Sequence, residues 1–305
     1  MRIYLAGATG AIGLPLVKRL ILDGHQVFGL TRSKEKAHLI EGWGAFPIIA
    51  DALNEQAVKQ SVQKIQPDVI IDMLTSLPKE YTPKAMREAA EQNYKLHMEG
   101  SAILLRAAQE AKVKRYIIQS SCFLYAPGQG PADETAPFAF DEVSGIASIT
   151  KVYAEIEKRV LQAGNIEGVV LRYGFFYGPG TWFTPEGNMA DQVRKQEYSL
   201  IGGGHGVWNF VHIEDAADAT AEALTAEPGA YNITNDTPVE VAVWLPSFAR
   251  WLNAPPPPPR SAQEEEHLNG PLRVYYATQL RAASNAKAKS ALNFAPRPLE
   301  WLTSY

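Results

Sequence analysis

This sequence has few of the features that mark secreted or membrane proteins. Its single cysteine, Cys122, excludes an intrachain disulfide and is expected to be buried at a strand end. No apolar run reaches the length of a membrane span. The N-terminus has one charge and then a short apolar run that a glycine interrupts, which predicts a strand and not a signal peptide. We therefore expect a cytoplasmic protein with no membrane partner.

Positive charge and metal ligands are also sparse. A net charge of −4 and a pI near 5.9 give no electrostatic basis for binding nucleic acid. The six histidines show no metal-ligand spacing, so we expect no metal site. The expected partner is a small-molecule substrate.

The order of apolar patterns indicates the fold. The chain has 305 residues, of which 46% are hydrophobic and 20% charged, so it can bury a large core in one domain with a smaller lobe. Strand patterns alternate with helix patterns, which is typical of an α/β doubly wound parallel sheet. The predicted strands are residues 2–7, 26–30, 46–50, 68–73, 115–119 and 168–173, and the later predicted helices are residues 84–112, 151–163 and 213–225. A loop rich in Pro, Gly and acidic residues, 127–144, is long enough to cover a site.

The most specific motif is a glycine-rich turn that follows the first strand. Gly7, Gly10 and Gly13 have the spacing G-x-x-G-x-x-G, and the helix that follows has Leu14, Val17, Leu20 and Ile21 on one face. Amides at the N-terminus of such a helix bind an anionic pyrophosphate, and positions without side chains let it approach closely. We predict a dinucleotide site whose turn residues are Gly7, Thr9, Gly10, Ala11, Ile12 and Gly13.

The ends of the next strands bear on which dinucleotide binds. An acidic residue after the second strand would hold the 2′-hydroxyl of NAD, whereas an arginine accommodates the 2′-phosphate of NADP. The chain has Arg32 there and no carboxylate beside it in sequence, which favours NADPH, although NADH stays open. Asp51 and Ala52 should contact the adenine, and Leu74 is a further candidate for cofactor binding.

Several segments together resemble one family. The glycine turn is followed by Ser120-Ser121 with Tyr125, Leu171-Arg172-Tyr173 with Tyr177-Gly178-Pro179, 210–215 (FVHIED) and 284–287 (SNAK). In these motifs the chain is similar to the extended and atypical short-chain dehydrogenase/reductase superfamily, of the NAD-dependent epimerase/dehydratase type. The resemblance implies a seven-stranded Rossmann sheet with a smaller C-terminal substrate lobe, and NAD or NADP as cofactor.

The resemblance also suggests domain boundaries. We expect residues 1–175 to form the dinucleotide-binding domain, with 208–232 returning to it, and residues 176–207 and 233–305 to form the substrate lobe. Many relatives pair through helices of the large domain, so a homodimer is one expectation and the oligomeric state stays open.

The chain departs from the family in its catalytic helix. Such enzymes usually carry Tyr-x-x-x-Lys, but none of the 13 tyrosines here has a lysine four residues later. Alignment on Lys151 puts Ala147 at the tyrosine position. Alignment on Glu157 puts Ile149 there and Tyr153 at the lysine position. The usual proton donor is missing in both alignments.

The resemblance still implies a set of catalytic candidates. Ser121, four residues before Tyr125, is the expected hydrogen-bond donor to the substrate oxygen, with Ser120 as the alternative. If the first alignment holds, Lys151 positions the nicotinamide ribose. The proton comes from Tyr153, from Tyr177 or from water.

The expected substrate positions have lost their polar residues. Phe175 stands where the family has an asparagine, and Trp208 stands where it has an arginine. Together with Phe123 and Tyr177, they predict a flat, apolar substrate, unless these aromatic rings only pack the two lobes together. His97 stands at the place of a family asparagine and is expected to pack or to form a hydrogen bond, not to act as a base.

These observations favour an NADPH-dependent reductase acting on a carbonyl or quinone-like group of an apolar or aromatic small molecule. One alternative is a sugar-nucleotide epimerase or dehydratase with bound NAD. The other is a non-catalytic protein that senses NADPH or binds a partner.

Overall fold

A computed structural model, which describes residues 1–303, contains a central parallel sheet of seven strands. The strand order is β11-β6-β5-β4-β1-β2-β3. The members are β1 (Arg2–Ala6), β2 (Gln26–Thr31), β3 (Phe46–Ile49), β4 (Val69–Asp72), β5 (Arg115–Ser121), β6 (Glu167–Tyr173) and β11 (Gly229–Ile233). The order reverses between β1 and β4, which is where a doubly wound sheet binds its ligand. The fold class expected from the sequence is confirmed.

Helices cover both faces of this sheet. One core cluster lies under α1 and α8, and the other lies under α3, α5 and α6. The helices of this domain are α1 (Gly13–Leu22), α2 (Lys34–Gly42), α3 (Glu55–Ile65), α4 (Pro83–Lys95), α5 (Ser101–Glu110), α6 (Ser144–Leu161) and α8 (Ile213–Glu222). None of the helices within residues 1–303 is long and apolar enough to cross a bilayer.

The smaller elements build a second lobe. Its strands are β7 (Phe175–Tyr177), β8 (Leu200–Ile201), β9 (Val207–Trp208), β10 (Phe210–His212), β12 (Val239–Glu240) and β13 (Pro259–Arg260). Its helices are α7 (Asn188–Arg194), α9 (Val241–Trp251), α10 (Ala262–Asn269), α11 (Pro271–Thr278) and α13 (Glu300–Thr303). Helix α12 (Ala286–Ala291) instead packs against β11 of the central sheet, where Ala288 belongs to the same core cluster as α1 and α8. An aromatic-rich core cluster fills the lobe.

In α1, Val17 and Leu20 of the predicted apolar face are buried, Leu14 and Ile21 are half-buried, and Leu16 is buried as well. One predicted helix start was wrong. Helix α6 begins at residue 144 and not at 151. The first turn contains Gly145, a residue type that is typical of loops, so the sequence did not indicate a helix there. In the structure, a Cβ at this position would lie 3.3 Å from the side chain of Leu272 in α11. The glycine is needed for close packing between these helices.

The long helical region predicted for residues 84–112 is continuous but contains one wide turn. Residues Leu96–Gly100 form a π-helical turn between α4 and α5. Such turns are rare and are frequent at functional sites. His97 lies in this turn and is buried.

Candidate active site

The glycine turn is held too tightly for side chains. Gly7 has a φ of +88°, and a Cβ there would lie 2.5 Å from the carbonyl oxygen of Met73. A Cβ on Gly13 would lie 2.2 Å from the oxygen of Gly7, and the Gly10 amide donates to that same oxygen at 3.0 Å. The turn therefore folds against the end of β4 and brings backbone, not side chains, to the start of α1.

The start of α1 fits an anionic group. Ile12 provides no side-chain cap, and the first turn of the helix has no acidic residue. The positive end of the helix and its amides at residues 11–13 are therefore left for a ligand. This is the arrangement that a dinucleotide pyrophosphate needs.

The ends of β2 and β3 lie beside one another. Arg32 is 61% exposed, and its Nη1 lies 3.9 Å from Oδ2 of Asp51. The sequence places no carboxylate next to Arg32 in the chain, but the parallel sheet places one next to it in space. Asp51 also accepts from the Leu53 amide at 2.9 Å, and Ala52 is buried.

Leu74 follows β4 at the switch point of the sheet. Its amide donates to Asp72 Oδ1 at 3.1 Å, and its carbonyl oxygen accepts from Gln119 Nε2 at 2.8 Å. These bonds fix the loop beside the glycine turn, where a cofactor would lie.

The two serines at the end of β5 have different surroundings. Ser120 Oγ donates to the buried Glu157 Oε1 at 2.5 Å, so its proton is already used in a hydrogen bond inside the protein. Ser121, also buried, points to the opposite face of the strand, and its Oγ accepts from the Phe123 amide at 3.3 Å. No acceptor for the Ser121 hydroxyl proton lies among residues 1–303, so this proton is available to a substrate.

A buried ion pair fixes how α6 sits on the sheet. Arg172 of β6 donates from Nη2 to Glu157 Oε2 at 2.6 Å and from Nε to Oε1 at 3.0 Å. Its Nη1 also donates to the Tyr125 hydroxyl at 2.8 Å. Both charged side chains are almost fully buried. Glu157 is therefore the residue of α6 that faces the sheet.

Tyr153 lies one turn before Glu157 on the same face of α6. Its hydroxyl lies 3.4 Å from Nε2 of His97, and the two rings are 4.9 Å apart. Burial raises the pKa of Tyr153 to about 12 and lowers the pKa of His97 to about 4. At neutral pH both groups are uncharged, and one hydrogen bond can join the Tyr153 hydroxyl to His97 Nε2.

The structure does not place Lys151 with these groups. Its side chain is exposed, and on a regular helix it lies about 200° around the axis from Tyr153. Ala147, the partner position in that alignment, has no acid–base group. The alignment through Glu157, with Ile149 at the tyrosine position and Tyr153 at the lysine position, agrees with the buried contact of Glu157 with Arg172, and the role of Lys151 at the ribose stays a prediction.

Three of the four predicted substrate residues lie in the aromatic core. Phe175 stacks on Trp208 at 3.9 Å, and both are buried. Tyr177 is buried too, and its hydroxyl donates to the Pro298 carbonyl of the C-terminal segment at 3.2 Å. For these three, packing within the lobe explains the aromatic character, and Tyr177 is not positioned as a proton donor.

Phe123 is half-buried beside that core and belongs, with Tyr276 and Tyr81, to a group of partly exposed aromatic rings that we call the aromatic cleft. It stacks on Phe175 at 4.4 Å and meets the ring of Tyr276 edge-on at 6.2 Å. Burial raises the pKa of Tyr276, and the neighbouring Tyr153 raises it further. Tyr276 therefore contacts Phe123 and lies near Tyr153.

Tyr81 extends this cleft from the loop after β4. Its ring packs against Trp182 at 4.6 Å, and Trp182 Nε1 donates to the Pro78 carbonyl at 3.1 Å. Burial raises the pKa of Tyr81 well above its ordinary value, and the neighbouring Tyr198 and Tyr276 add to the rise. Sequence patterns had not identified Tyr81 or Tyr276, because neither lies in a motif and they meet only through the fold.

Within residues 1–303, no three His, Cys, Asp or Glu side chains come together as a metal-binding group. The groups available for chemistry are the Ser121 hydroxyl, the Tyr153 phenol with His97, and the aromatic cleft.

Comparison with known proteins adds to this geometry. A model of the NAD dependent epimerase/dehydratase family matches residues 3–234. A 3-diazoavenalumate denitrifying reductase from a Streptomyces species is 38% identical over 307 residues, which cover 99% of this chain and 98% of that protein. A 4-hydroxy-2-methyl-3-oxo-4-farnesyl-3,4-dihydroquinoline-1-oxide ketoreductase from Stigmatella aurantiaca is 26% identical over 252 residues, which cover 80% of this chain and 71% of that protein.

Solved structures show the same fold at low sequence identity. UDP-glucose 4-epimerase from Thermotoga maritima, determined with UDP-glucose, matches with a TM-score of 0.76 and 18% identity, covering 99% of this chain and 95% of the other. At this identity the likeness concerns the fold alone.

Proposed function

Since this chain belongs to the NAD dependent epimerase/dehydratase family and is an oxidoreductase of the short-chain dehydrogenase/reductase type, we propose that it reduces an apolar, aromatic small molecule with NADPH. The group reduced is a carbonyl or quinone-like group, or another electron-poor group of similar size. The observation that carries the proposal is that the Ser121 hydroxyl donates no hydrogen bond within the described residues and lies two residues before Phe123 of the aromatic cleft. The chain also lacks the catalytic tyrosine that the family usually has at this helix.

NADPH is supported by the charge at the end of β2. Arg32 is exposed there, and Lys34 and Lys36 follow in the first turn of α2. A 2′-phosphate at this position would meet positive charge and the N-terminus of a helix. The nearby Asp51 also allows a hydroxyl-binding role, so the preference for NADPH over NADH is part of the proposal.

The residues would divide the chemistry as follows. The bound dinucleotide supplies the hydride. Ser121 Oγ donates a hydrogen bond to the substrate oxygen as negative charge develops on it. The Tyr153 phenol, which burial keeps protonated at neutral pH, donates the proton, and His97 Nε2 holds the phenol in place. The aromatic rings orient a flat substrate and exclude water.

The test is the oxidation of NADPH by the purified protein, followed by absorbance. The panel contains aliphatic ketones, aromatic ketones, quinones and 3-diazoavenalumate, the compound in the name of the Streptomyces relative. We expect turnover with an aromatic member and a preference for NADPH over NADH. The variant Ser121→Ala should lose roughly 10²-fold or more in kcat, the usual effect of removing one such donor.

Two control variants accompany this assay. Ser290→Ala, on the exposed face of α12, should leave turnover unchanged. Arg32→Ala should reduce the preference for NADPH, whereas Arg106→Ala, an exposed arginine paired with Glu55, should not. Silence across the panel with NADPH still bound would contradict the proposal and favour a sensor, and copurified NAD of unchanged redox state would favour an epimerase.

A further inference from the structure

Two side chains of α7 hold the main chain of Tyr81. The Tyr81 amide donates to Asn188 Oδ1 at 2.8 Å, and its carbonyl oxygen accepts from Gln192 Nε2 at 2.9 Å. Gln192 also donates to Asn188 Oδ1 at 2.6 Å, so these two side chains hold one another in place. The segment after β4 is thereby tied to the second lobe, and the position of the Tyr81 ring is fixed.

The main chain of Tyr276 is fixed by a comparable contact. Its carbonyl oxygen accepts from Trp208 Nε1 at 2.7 Å, and a Cβ on Gly206 would lie 2.4 Å from the same oxygen. The chain around β9 therefore lies directly against α11. The position of the Tyr276 ring is set from the second lobe, as that of Tyr81 is.

Tyr276 lies on the side of α11 that faces α6. The two helices meet closely where Gly145 packs against Leu272, since a Cβ on the glycine would lie 3.3 Å from that side chain. Tyr276 follows Leu272 by one turn and Tyr153 follows Gly145 by two, so both continue the same contact. Tyr153 raises the pKa of Tyr276, and Tyr276 raises that of Tyr81, as neighbouring phenols do. The three tyrosine rings therefore lie near one another.

The hydroxyls of Tyr81 and Tyr276 are free, although the main chain of each residue is held. Neither hydroxyl has a hydrogen-bond partner among residues 1–303, and neither is one of the fully enclosed atoms that lack a partner. Both residues keep accessible surface. Burial nevertheless raises the pKa of both phenols, so each stays protonated at neutral pH. A phenol that is surrounded by protein and still touches solvent lines a recess, where its proton can bind a ligand.

Arg273 also lies near Tyr81, but its charge is already paired. Its Nη1 lies 2.9 Å from the buried carboxylate of Glu265, and its guanidinium is hydrogen-bonded to Tyr198. The groups that Tyr81 and Tyr276 offer a ligand are neutral donors. Neutral donors suit a neutral oxygen acceptor better than a carboxylate, which needs a cation to offset the loss of its hydration.

We propose that Tyr81 and Tyr276 donate hydrogen bonds to an oxygen substituent on the ring system of the substrate, which is therefore an oxygenated aromatic compound. This oxygen is distinct from the group that is reduced beside Ser121 and Tyr153. The inference rests on the proposed function, because it names the substrate class of the same cleft. An alkyl substituent of equal size would leave both phenols without a partner and would bind more weakly.

A matched pair of probes tests the inference without turnover. Protein loaded with NADP⁺ has no hydride to transfer, so ketones bind to it and do not react. 4-Methoxyacetophenone and 4-ethylacetophenone have nearly the same size and differ in one ring oxygen. Titration calorimetry should show at least about fivefold tighter binding of the methoxy compound, as one or two net hydrogen bonds give. Equal affinity, tighter binding of the ethyl compound, or no binding of either would overturn the inference.

Three variants locate the effect. Tyr81→Phe and Tyr276→Phe keep the rings and remove the hydroxyls, so each should reduce the preference to about twofold or less and leave the affinity for the ethyl compound within about twofold. Tyr275→Phe is the matched control on the same helix, because its hydroxyl is fully enclosed, and it should keep the preference. A preference that survives in Tyr81→Phe and Tyr276→Phe, or an equal loss of affinity for both probes, would overturn the inference.

The failures of the two proposals are distinguishable. A preference for the methoxy compound that depends on Tyr81 and Tyr276, without NADPH oxidation by any compound, would contradict the reductase and support the oxygen-binding site. Reduction of both ketones at equal kcat/KM, unchanged in Tyr81→Phe and Tyr276→Phe, would support the reductase and overturn the oxygen-binding site.

Discussion

Two regions of the candidate active site are stabilised in different ways. We call them the backbone side, at β1, β2 and β3, and the side-chain side, at β5, β6 and α6. At the side of β1, β2 and β3, the backbone forms the candidate cofactor site, because Gly7 and Gly13 leave no room for side chains. At the side of β5, β6 and α6, buried side chains form the site, through the bonds from Arg172 to Glu157 and from Ser120 to Glu157. A backbone site is visible in a local sequence pattern, whereas a side-chain site depends on contacts between distant segments.

The largest expected effect is on the side-chain side. Glu157→Gln removes the carboxylate that neutralises a buried guanidinium, and we expect the free energy of unfolding to fall by about 3–5 kcal/mol. Denaturant titration measures it. The control Glu155→Gln, on the same helix, breaks a partly exposed pair with Arg159 and should cost about 0.5 kcal/mol. Equal costs for the two variants would mean that the interior network does not hold α6.

A second prediction concerns the stability of the same side as a function of pH. Burial lowers the pKa of His97 from 6.5 to about 4, so the unfolded chain binds this proton more readily than the folded protein. The associated stability is fully present above pH 6.5 and is lost as the pH falls toward 4, by about 3 kcal/mol in total.

Substitution of His97 isolates this contribution. In His97→Asn the decline in unfolding free energy between pH 6.5 and 4 should be shallower than in the native protein, by up to that amount. His38→Asn, at an exposed position of α2, should follow the native curve. Parallel curves for the native protein and His97→Asn would show that His97 is not held neutral by burial.

The smallest predicted change acts on the backbone side. Gly13→Ala places a Cβ 2.2 Å from the Gly7 oxygen, so the turn must shift, and we expect the Kd for NADPH to rise at least tenfold, or about 1.4 kcal/mol. Fluorescence titration of NADPH measures the Kd. Gly42→Ala, where no neighbouring atom lies within 4 Å of the added carbon, is the control. An unchanged Kd in Gly13→Ala would separate the turn from cofactor binding.

The sequence predicted the fold of the backbone side well for a physical reason, and the cofactor contacts there stay a prediction. A strand, a glycine turn and a helix are local, and their apolar periodicity together with the absence of side chains indicates both the fold and an anion site. The prediction missed only what the sheet brings together across the chain, such as the approach of Asp51 to Arg32.

The side-chain side could not be predicted to the same depth. Spacing alone allowed two alignments of α6, and only the contact of Glu157 with Arg172 from another strand distinguishes them. For the aromatic residues Phe175, Tyr177 and Trp208, the sequence left two interpretations open, substrate contact and packing, and the structure shows all three buried in the lobe. Tyr81 and Tyr276 belong to segments far apart in sequence, and no motif joins them.

The central proposal is that Tyr153, held by His97, supplies the proton, and that the exposed Lys151 on the same helix is not needed to position the nicotinamide ribose. The most direct measurement is the single-turnover rate of reduction by NADPH-loaded protein in two variants of the same helix. We expect Tyr153→Phe to slow the reaction by roughly 10²-fold, as for loss of a general acid, and Lys151→Ala to stay within about twofold of the native rate. A slow Lys151→Ala beside an unimpaired Tyr153→Phe would contradict the account and restore the alignment through the lysine.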